Sequence, residues 1–143
     1  MNLDLFKQGL IMKTANSFSW EEIDSGENSV ALRTFIPSRK YNTEIAMTVE
    51  FNEKATLVIT FAFDSINYNK ESLALVNYFN QGLYFFKAYV KQVRRGHALI
   101  VEYASPNCDS VEQASETVQE MIDRLFSDSC AEYLLPLTAI TEA

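Results

Sequence analysis

The chain of 143 residues contains little glycine, proline, cysteine or histidine, and each shortage narrows the possible protein classes. Its glycines, at positions 9, 26, 82 and 96, are too few and too scattered to form the glycine-rich loops that bind phosphate. With three prolines beside these four glycines, little of the chain can be flexible linker. Cys108 and Cys130 form neither a CxxC pair nor a zinc-binding spacing, so the sequence predicts two reduced thiols.

Positive charge is scarce as well. The formal net charge is −7 and the isoelectric point about 4.7. This acidity argues against nucleic acid as a partner, because sequence-independent binding needs Lys and Arg to neutralise phosphates. It also argues against an anionic membrane surface, and no apolar run reaches the length of a membrane span. No secretory signal is visible at the N-terminus, so we expect a cytoplasmic protein.

Signatures of catalysis are missing too. The one histidine, His97, lies in a predicted hairpin turn without an adjacent nucleophile or orienting group. The carboxylates of the last predicted helix recur at i, i+4 spacing, which is typical of a solvated helix face. No hydrolase, metalloprotease or nucleotide-binding motif is present. The sequence therefore predicts a non-enzymatic protein with no metal site and no cofactor.

The chain is rich in apolar and aromatic residues. Hydrophobic residues make up 48% and aromatic residues 13%, which predicts one domain over residues 1–143 with its own core. Apolar residues alternate strictly in residues 44–51 and 56–63, and the short segment NEK joins them as a hairpin. Further strands are predicted at residues 20–23, 29–37, 85–91 and 98–104, and Pro37 is expected to stop the second of these. For residues 20–23 a capped helical turn is the alternative.

Helices are predicted at the start, the middle and the end of the chain. The first spans residues 2–18 with Asn2 as its cap, and the second spans about residues 70–81 with Asn69 as its cap. Gly82 ends the second helix, because glycine tolerates the left-handed conformation.

The last helix has the clearest boundaries. A capping box from Ser110 to Gln113 begins it, residues 127–129 interrupt it, and Pro136 ends it, leaving the tail loose. This order of helices and antiparallel hairpins predicts an α+β fold, with an antiparallel sheet of five to six strands flanked by helices.

The stretch SLALVNYFNQGLYFFKAYVK places two amides, Asn77 and Asn80, in its most apolar part. On a helix they are neighbours beside the buried stripe, where an unpaired amide costs about 1–3 kcal/mol. One interpretation is that both asparagines pin the helix to the next strand. The other is that they bind a ligand.

This stretch also resembles a known family. The helix ending in NxxN, the KAYV-type strand, the LIVEY-type strand and the capped last helix resemble the YbjN family over about residues 70–126. Members of that family are assigned as bacterial sensory-transduction regulators. The resemblance implies a fold like that of the type III secretion chaperones, which are usually homodimers. It implies no catalytic residue. In place of the expected acidic, glycine-rich loop before the last helix, this chain has ASPNCDS.

We therefore expect a chaperone-like or regulatory adaptor that binds an unidentified protein as a homodimer. Candidate binding residues are Asn77, Tyr78, Asn80, Tyr84, Phe85 and Tyr89, because interfaces favour tyrosine and phenylalanine. The alternatives are a small-molecule-binding protein or small enzyme with a pocket near Asn77 and Asn80, and a structural subunit of a larger assembly.

Overall fold

The computed structural model describes residues 2–66, 69–83, 85–94 and 96–138. Tyr84 and the last five residues of the chain lie outside these ranges. In chain order the elements are α1 (Leu3–Lys13), β1 (Glu21–Ile23), β2 (Ser29–Ser38), β3 (Thr43–Asn52), β4 (Leu57–Ile66), α2 (Lys70–Gly82), β5 (Lys87–Val93), β6 (Gly96–Ser105), α3 (Val111–Leu125) and α4 (Asp128–Thr138).

The six strands form one antiparallel sheet in the order β1-β2-β3-β4-β6-β5. The predicted α+β fold with an antiparallel sheet is confirmed. In the predicted β3–β4 turn, the Asn52 side chain accepts hydrogen bonds from the backbone amides of Lys54 and Thr56. Ala55 adopts a left-handed conformation there, with φ 59°.

All four helices contribute to a core on one face of the sheet. The strands supply large apolar side chains to this helix-covered face, among them Phe51, Phe61 and Phe63, and each is at most 1% exposed. Their alternation with outward residues is the period of two that predicted the strands. The apolar stripe of α3, which includes Val118 and Leu125, is buried against them.

The opposite face of the sheet lies outside this core, and we call it the helix-free face. Within the described ranges, it is formed by residues of the five longer strands and of β1. Its central members are Arg33, Phe35, Ala46, Thr48, Thr60, Ala62, Lys87, Tyr89, Ile100 and Glu102, with Glu21 at the β1 edge. Most are small, polar or charged, and those near the centre are half-buried by their neighbours.

Several predicted boundaries are wrong for identifiable reasons. The first helix ends at Lys13 and not at residue 18. The difference arises at Thr14, whose hydroxyl donates a hydrogen bond to the Leu10 carbonyl and accepts one from the Trp20 indole. Strand β2 continues through Pro37, although proline has no backbone N–H to donate. Because β1 pairs only with Ala31–Arg33, no strand lies on that side of β2 at Pro37 to need this donor.

The C-terminal helix also departs from its prediction. The interruption near residues 127–129 is confirmed, because α3 ends at Leu125 and α4 begins at Asp128. However, α4 continues past Pro136 to Thr138, and Leu137 is buried in the core. The tail is therefore ordered further than expected, because Leu137 has apolar surface to bury.

Candidate functional site

The Asn80 side chain holds α2 against the edge strand β5. Its amide nitrogen donates to the Ala88 carbonyl at 2.9 Å, and its oxygen accepts from the Ala88 amide at 2.7 Å. The side chain thus offers the donor and acceptor that a neighbouring strand would offer. It satisfies the outer edge of β5 at this residue, where an unpaired edge would invite another chain.

Asn77 lies elsewhere on α2. It is exposed, and within the described residues its side chain forms no hydrogen bond. At 100° per residue, Asn77 sits farther from the buried stripe of Val76 and Phe79 than Asn80 does. The interpretation that both amides pin the helix is therefore confirmed for Asn80 and wrong for Asn77.

The other flank of α2 packs against α4 through two tyrosines. The Tyr78 and Tyr133 ring centroids are 5.0 Å apart, and Tyr133 also meets the Phe79 ring edge-on. We call Tyr78 and Tyr133 the tyrosine ridge. Gly82 is needed beneath it, because a Cβ there would overlap the Tyr133 hydroxyl and ring.

Gly82 ends α2 as expected, but not by the mechanism expected. The residue after it, Leu83, is extended, and Gly96 is the glycine with positive φ in the described chain. The prediction of a left-handed cap is wrong. Glycine is required at position 82 because it has no Cβ, which lets Tyr133 approach the helix closely.

Two further predicted binding residues point to different neighbours. Phe85 is half-buried, with the Arg124 guanidinium 4.5 Å from its ring centroid and the Phe86 ring edge-on at 4.8 Å. Tyr89 lies on the helix-free face, where its hydroxyl donates to Glu102 at 2.9 Å. Burial raises the pKa of Tyr89, and the Glu102 carboxylate adds to this increase.

The predicted binding residues consequently do not share one surface. Asn80 faces β5, Tyr78 faces α4, and Tyr89 belongs to the helix-free face. Tyr84 lies outside the described residues. Binding roles for these residues stay predictions.

Sequence reasoning missed the charges of the helix-free face. One row across the sheet, in strand order, consists of Glu21, Arg33, Thr48, Thr60, Glu102 and Lys87. Within this row, Arg33 and Glu21 form an ion pair at 3.2 Å. No strand taken alone shows this pattern, and the strand order is needed to reveal the row.

Two grooves formed by described residues include neither Asn77 nor Asn80 in their linings. One of about 640 Å³ runs between the start of α1, the β3–β4 turn and the start of α3, and is lined by Phe6, Ala55 and Val111 among others. Within the same ranges, no three His, Cys, Asp or Glu side chains are grouped to hold a metal. No described helix has the length and apolar character needed to cross a membrane.

Both cysteines are free and buried on the helix-covered side, as reduced thiols should be. Burial raises the pKa of Cys130 to about 12, an effect that the Tyr41 hydroxyl and the Lys40 ammonium partly offset. Burial also raises the pKa of Tyr41, whose hydroxyl donates to the Leu125 carbonyl. These contacts fix the junction between α3 and α4 to the β2–β3 turn.

Comparison with solved structures settles the fold. The crystal structure of YbjN, described as "a putative transcription regulator from E. coli", matches 97% of this chain and 93% of that chain with a TM-score of 0.63. The chain has a YbjN-like fold. Sequence identity to YbjN is 14%, and neither a family model nor a curated protein sequence matches the chain. The YbjN resemblance inferred from residues 70–126 thus extends to the fold of nearly the whole chain.

Proposed function

We propose that this protein is a non-enzymatic regulatory or adaptor protein, which binds a segment of a partner protein in the cytoplasm and acts, in the manner of a chaperone, as a homodimer. The observation that carries the proposal is the tyrosine ridge. Tyr78 is 58% exposed, although its ring is held against Tyr133. A large aromatic ring held in place at the surface contributes apolar area to an interface at low entropic cost.

The two helices that carry the ridge expose further apolar side chains. Leu73 on α2 and Leu135 on α4 are exposed at 46% and 41%, but at 100° per residue each lies on another flank of its helix than the ridge tyrosine does. The apolar contact available to a partner is the ridge itself, where α2 and α4 meet. We therefore place the partner's apolar segment along α2 and α4.

The likeness to YbjN supports a regulatory role, since YbjN is described as "a putative transcription regulator". The net charge of −7 disfavours a direct grip on DNA phosphates. We therefore propose that regulation proceeds through protein contacts.

Tagged protein, incubated with extract of its own cells, tests the proposal. Wild type is compared with Tyr78→Ala and with Met12→Ala, which truncates a 78% exposed side chain on α1 as a matched control. We expect a stoichiometric partner that Tyr78→Ala loses and Met12→Ala retains. Equal capture by all three proteins, or no stoichiometric partner, would contradict the proposal.

The ligand-binding alternative now depends mainly on Asn77, because both polar atoms of the Asn80 amide already bond Ala88. A metabolite bound there would raise the melting temperature of wild type more than that of Asn77→Ala. A thermal-shift screen of both proteins separates this alternative from the adaptor proposal.

A further inference from the structure

The charges in the central row of the helix-free face are antisymmetric about the middle of the sheet. Across this row the side chains are, in order, negative, positive, neutral, neutral, negative and positive; they belong to Glu21, Arg33, Thr48, Thr60, Glu102 and Lys87. When the row is reversed, every charge meets its opposite and the two threonines meet each other. This row is therefore complementary to itself.

We propose that the helix-free face binds the same face of a second copy of this chain, related by a two-fold axis parallel to the strands and passing between β3 and β4. This inference rests on the homodimer proposed above and assigns its interface. The axis places β1 of one copy over β5 of the other. Glu21 then faces Lys87 of the second copy, and Arg33 faces Glu102 of the second copy.

The neighbouring row fits the same arrangement. It consists of Phe35, Ala46, Ala62, Ile100 and Tyr89. Under the same axis the two alanines face each other and Phe35 covers Ile100 of the second copy. Phe35 is 49% exposed in the single chain, so this contact would remove an aromatic ring from water. Small side chains at the centre allow the two sheets to pack closely and in alignment.

Two charges of β3, Glu44 and Glu50, lie near the axis without an opposite partner. Glu44 is exposed near the start of β3, where β4 of the second copy carries the exposed Asp64, so both carboxylates have to stay in water at that rim. Glu50 in β3 is placed over Val58 of the second copy by the same rule. Glu50 is two residues from the end of β3 and exposed, so its carboxylate can stay in water at the rim of the interface. Polar rims around a less polar centre are usual in interfaces between proteins.

Other ways of pairing two sheets are less favourable. Edge pairing along β5 would have to displace Asn80 from its two hydrogen bonds with Ala88, and β1 offers an edge of only three residues. A two-fold axis perpendicular to the strands would place β5 over β5, so that Lys87 would face Lys87 and Glu21 would face Glu21. Like charges facing each other across an interface oppose association.

The face is large enough for a stable dimer. Strand spacing of about 4.8 Å and ten-residue strands of about 33 Å give a face of roughly 800 Å² per copy. Two copies would bury about 1,600 Å², the size of a standard specific interface.

Charge reversal tests the axis as well as the face. Lys87→Glu and Glu21→Lys each turn two opposite-charge contacts of the dimer into like-charge contacts, and both positions are exposed. Sedimentation equilibrium of the full chain should show a dimer for wild type and a dimer dissociation constant at least tenfold higher for each variant alone. Lys70→Glu, which makes the same charge change on α2, should dimerise like wild type.

An equal mixture of the two reversed variants should restore the dimer. Only in the mixed pair does the substituted position of Glu21→Lys face the substituted position of Lys87→Glu, so that opposite charges meet again. At the other end of the same row, the unchanged Lys87 of the first variant faces the unchanged Glu21 of the second. Far-UV circular dichroism of each variant confirms that the chains in the mixture are folded.

Three results would overturn the inference. If wild type stays monomeric at millimolar concentration, the protein is not a homodimer. If the reversed variants dimerise normally, the dimer does not use the helix-free face. If the mixture stays monomeric, the two copies are not related by the proposed axis. Partner capture through Tyr78 is measured separately. Loss of that capture with an intact, charge-dependent dimer would refute the adaptor proposal and leave the interface standing.

Discussion

The two faces of the sheet are built from the same strands and differ in almost every other respect. On the helix-covered face, Phe61 and Ile59 of β4 are completely buried. Between them on the other face, Thr60 is half-buried and belongs to no large apolar cluster. Neighbours in the chain therefore serve different surfaces, because successive side chains of a strand point to opposite sides.

The difference between the faces shows which of them supplies most of the stability of the fold. Burial of large apolar side chains on one face supplies the main driving force for folding. The other face carries small residues at its centre and charges such as Arg33 and Glu102 toward its sides. Substitutions that change the charges of this face should therefore cost little folding stability. Its charges are thus available to determine contacts with another molecule.

The sharpest test of this difference compares adjacent residues of β4. Phe61→Ala should lower the free energy of unfolding by about 3–5 kcal/mol, since it leaves a cavity in the core. Thr60→Ala, one residue away on the helix-free face, should change it by no more than about 1 kcal/mol, because it removes only the preference of a half-buried strand position for threonine over alanine. Urea denaturation of both variants measures the two values. Similar losses would show that the two faces contribute alike.

A second test concerns the layer of helices over the core. Gly82→Ala should lower the free energy of unfolding by about 1–3 kcal/mol, because the added methyl group displaces Tyr133. In a Tyr133→Leu background the same substitution should cost less, since the ring is gone. Gly26→Ala, at an open position where the new methyl group meets only the Ser29 hydroxyl, is the control. A loss at Gly82 that is independent of residue 133 would contradict this account.

The sequence predicted the parts of the fold that depend on local pattern. Alternation in β3 and β4 identified both strands and the turn between them, and capping residues Asn69 and Ser110 marked the starts of α2 and α3. These signals are local, because alternation and capping involve residues within a few positions of each other.

Features that depend on distant partners could not be read from the chain. The roles of Asn77 and Asn80 differ because only Asn80 reaches Ala88, and the need for a glycine at Gly82 comes from Tyr133, some fifty residues away. The charged row of the helix-free face needs the strand order, which places β6 between β4 and β5. Only this order brings Lys87 and Glu21 to opposite sides of one face.

The two asparagines of α2 supply a test with a smaller expected effect. It concerns the edge strand β5, where Asn80 bonds Ala88. Asn80→Ala should lower the free energy of unfolding by about 1–2 kcal/mol, because it leaves the Ala88 amide and carbonyl without their partner. Asn77→Ala should be nearly neutral, since the Asn77 side chain is exposed. Amide hydrogen exchange at Ala88 should accelerate only in Asn80→Ala. Equal exchange in the two variants would mean that the side-chain amide does not protect the edge.

The smallest expected effect is a loss of stability in alkali that originates on the helix-covered side, where both thiols are buried. Burial raises the pKa of Cys130 from 9.0 to about 12. Above pH 9 the unfolded chain therefore loses this proton while the folded chain keeps it, so the free energy of unfolding falls between pH 9 and 12 and is unaffected by this group at lower pH. The loss should be about 1 kcal/mol by pH 10.

Cys130→Ala should remove this part of the pH dependence, although it lowers stability at every pH by creating a small cavity. Unfolding measured in urea at pH 8 and pH 10 gives the difference for each protein, and the cavity cost cancels in the comparison. Tyr41, whose pKa burial also raises, contributes to the same difference in both proteins. If wild type and Cys130→Ala lose equal stability between these pH values, the thiol ionises as readily in the folded chain as in the unfolded one, and the core around it is open to water.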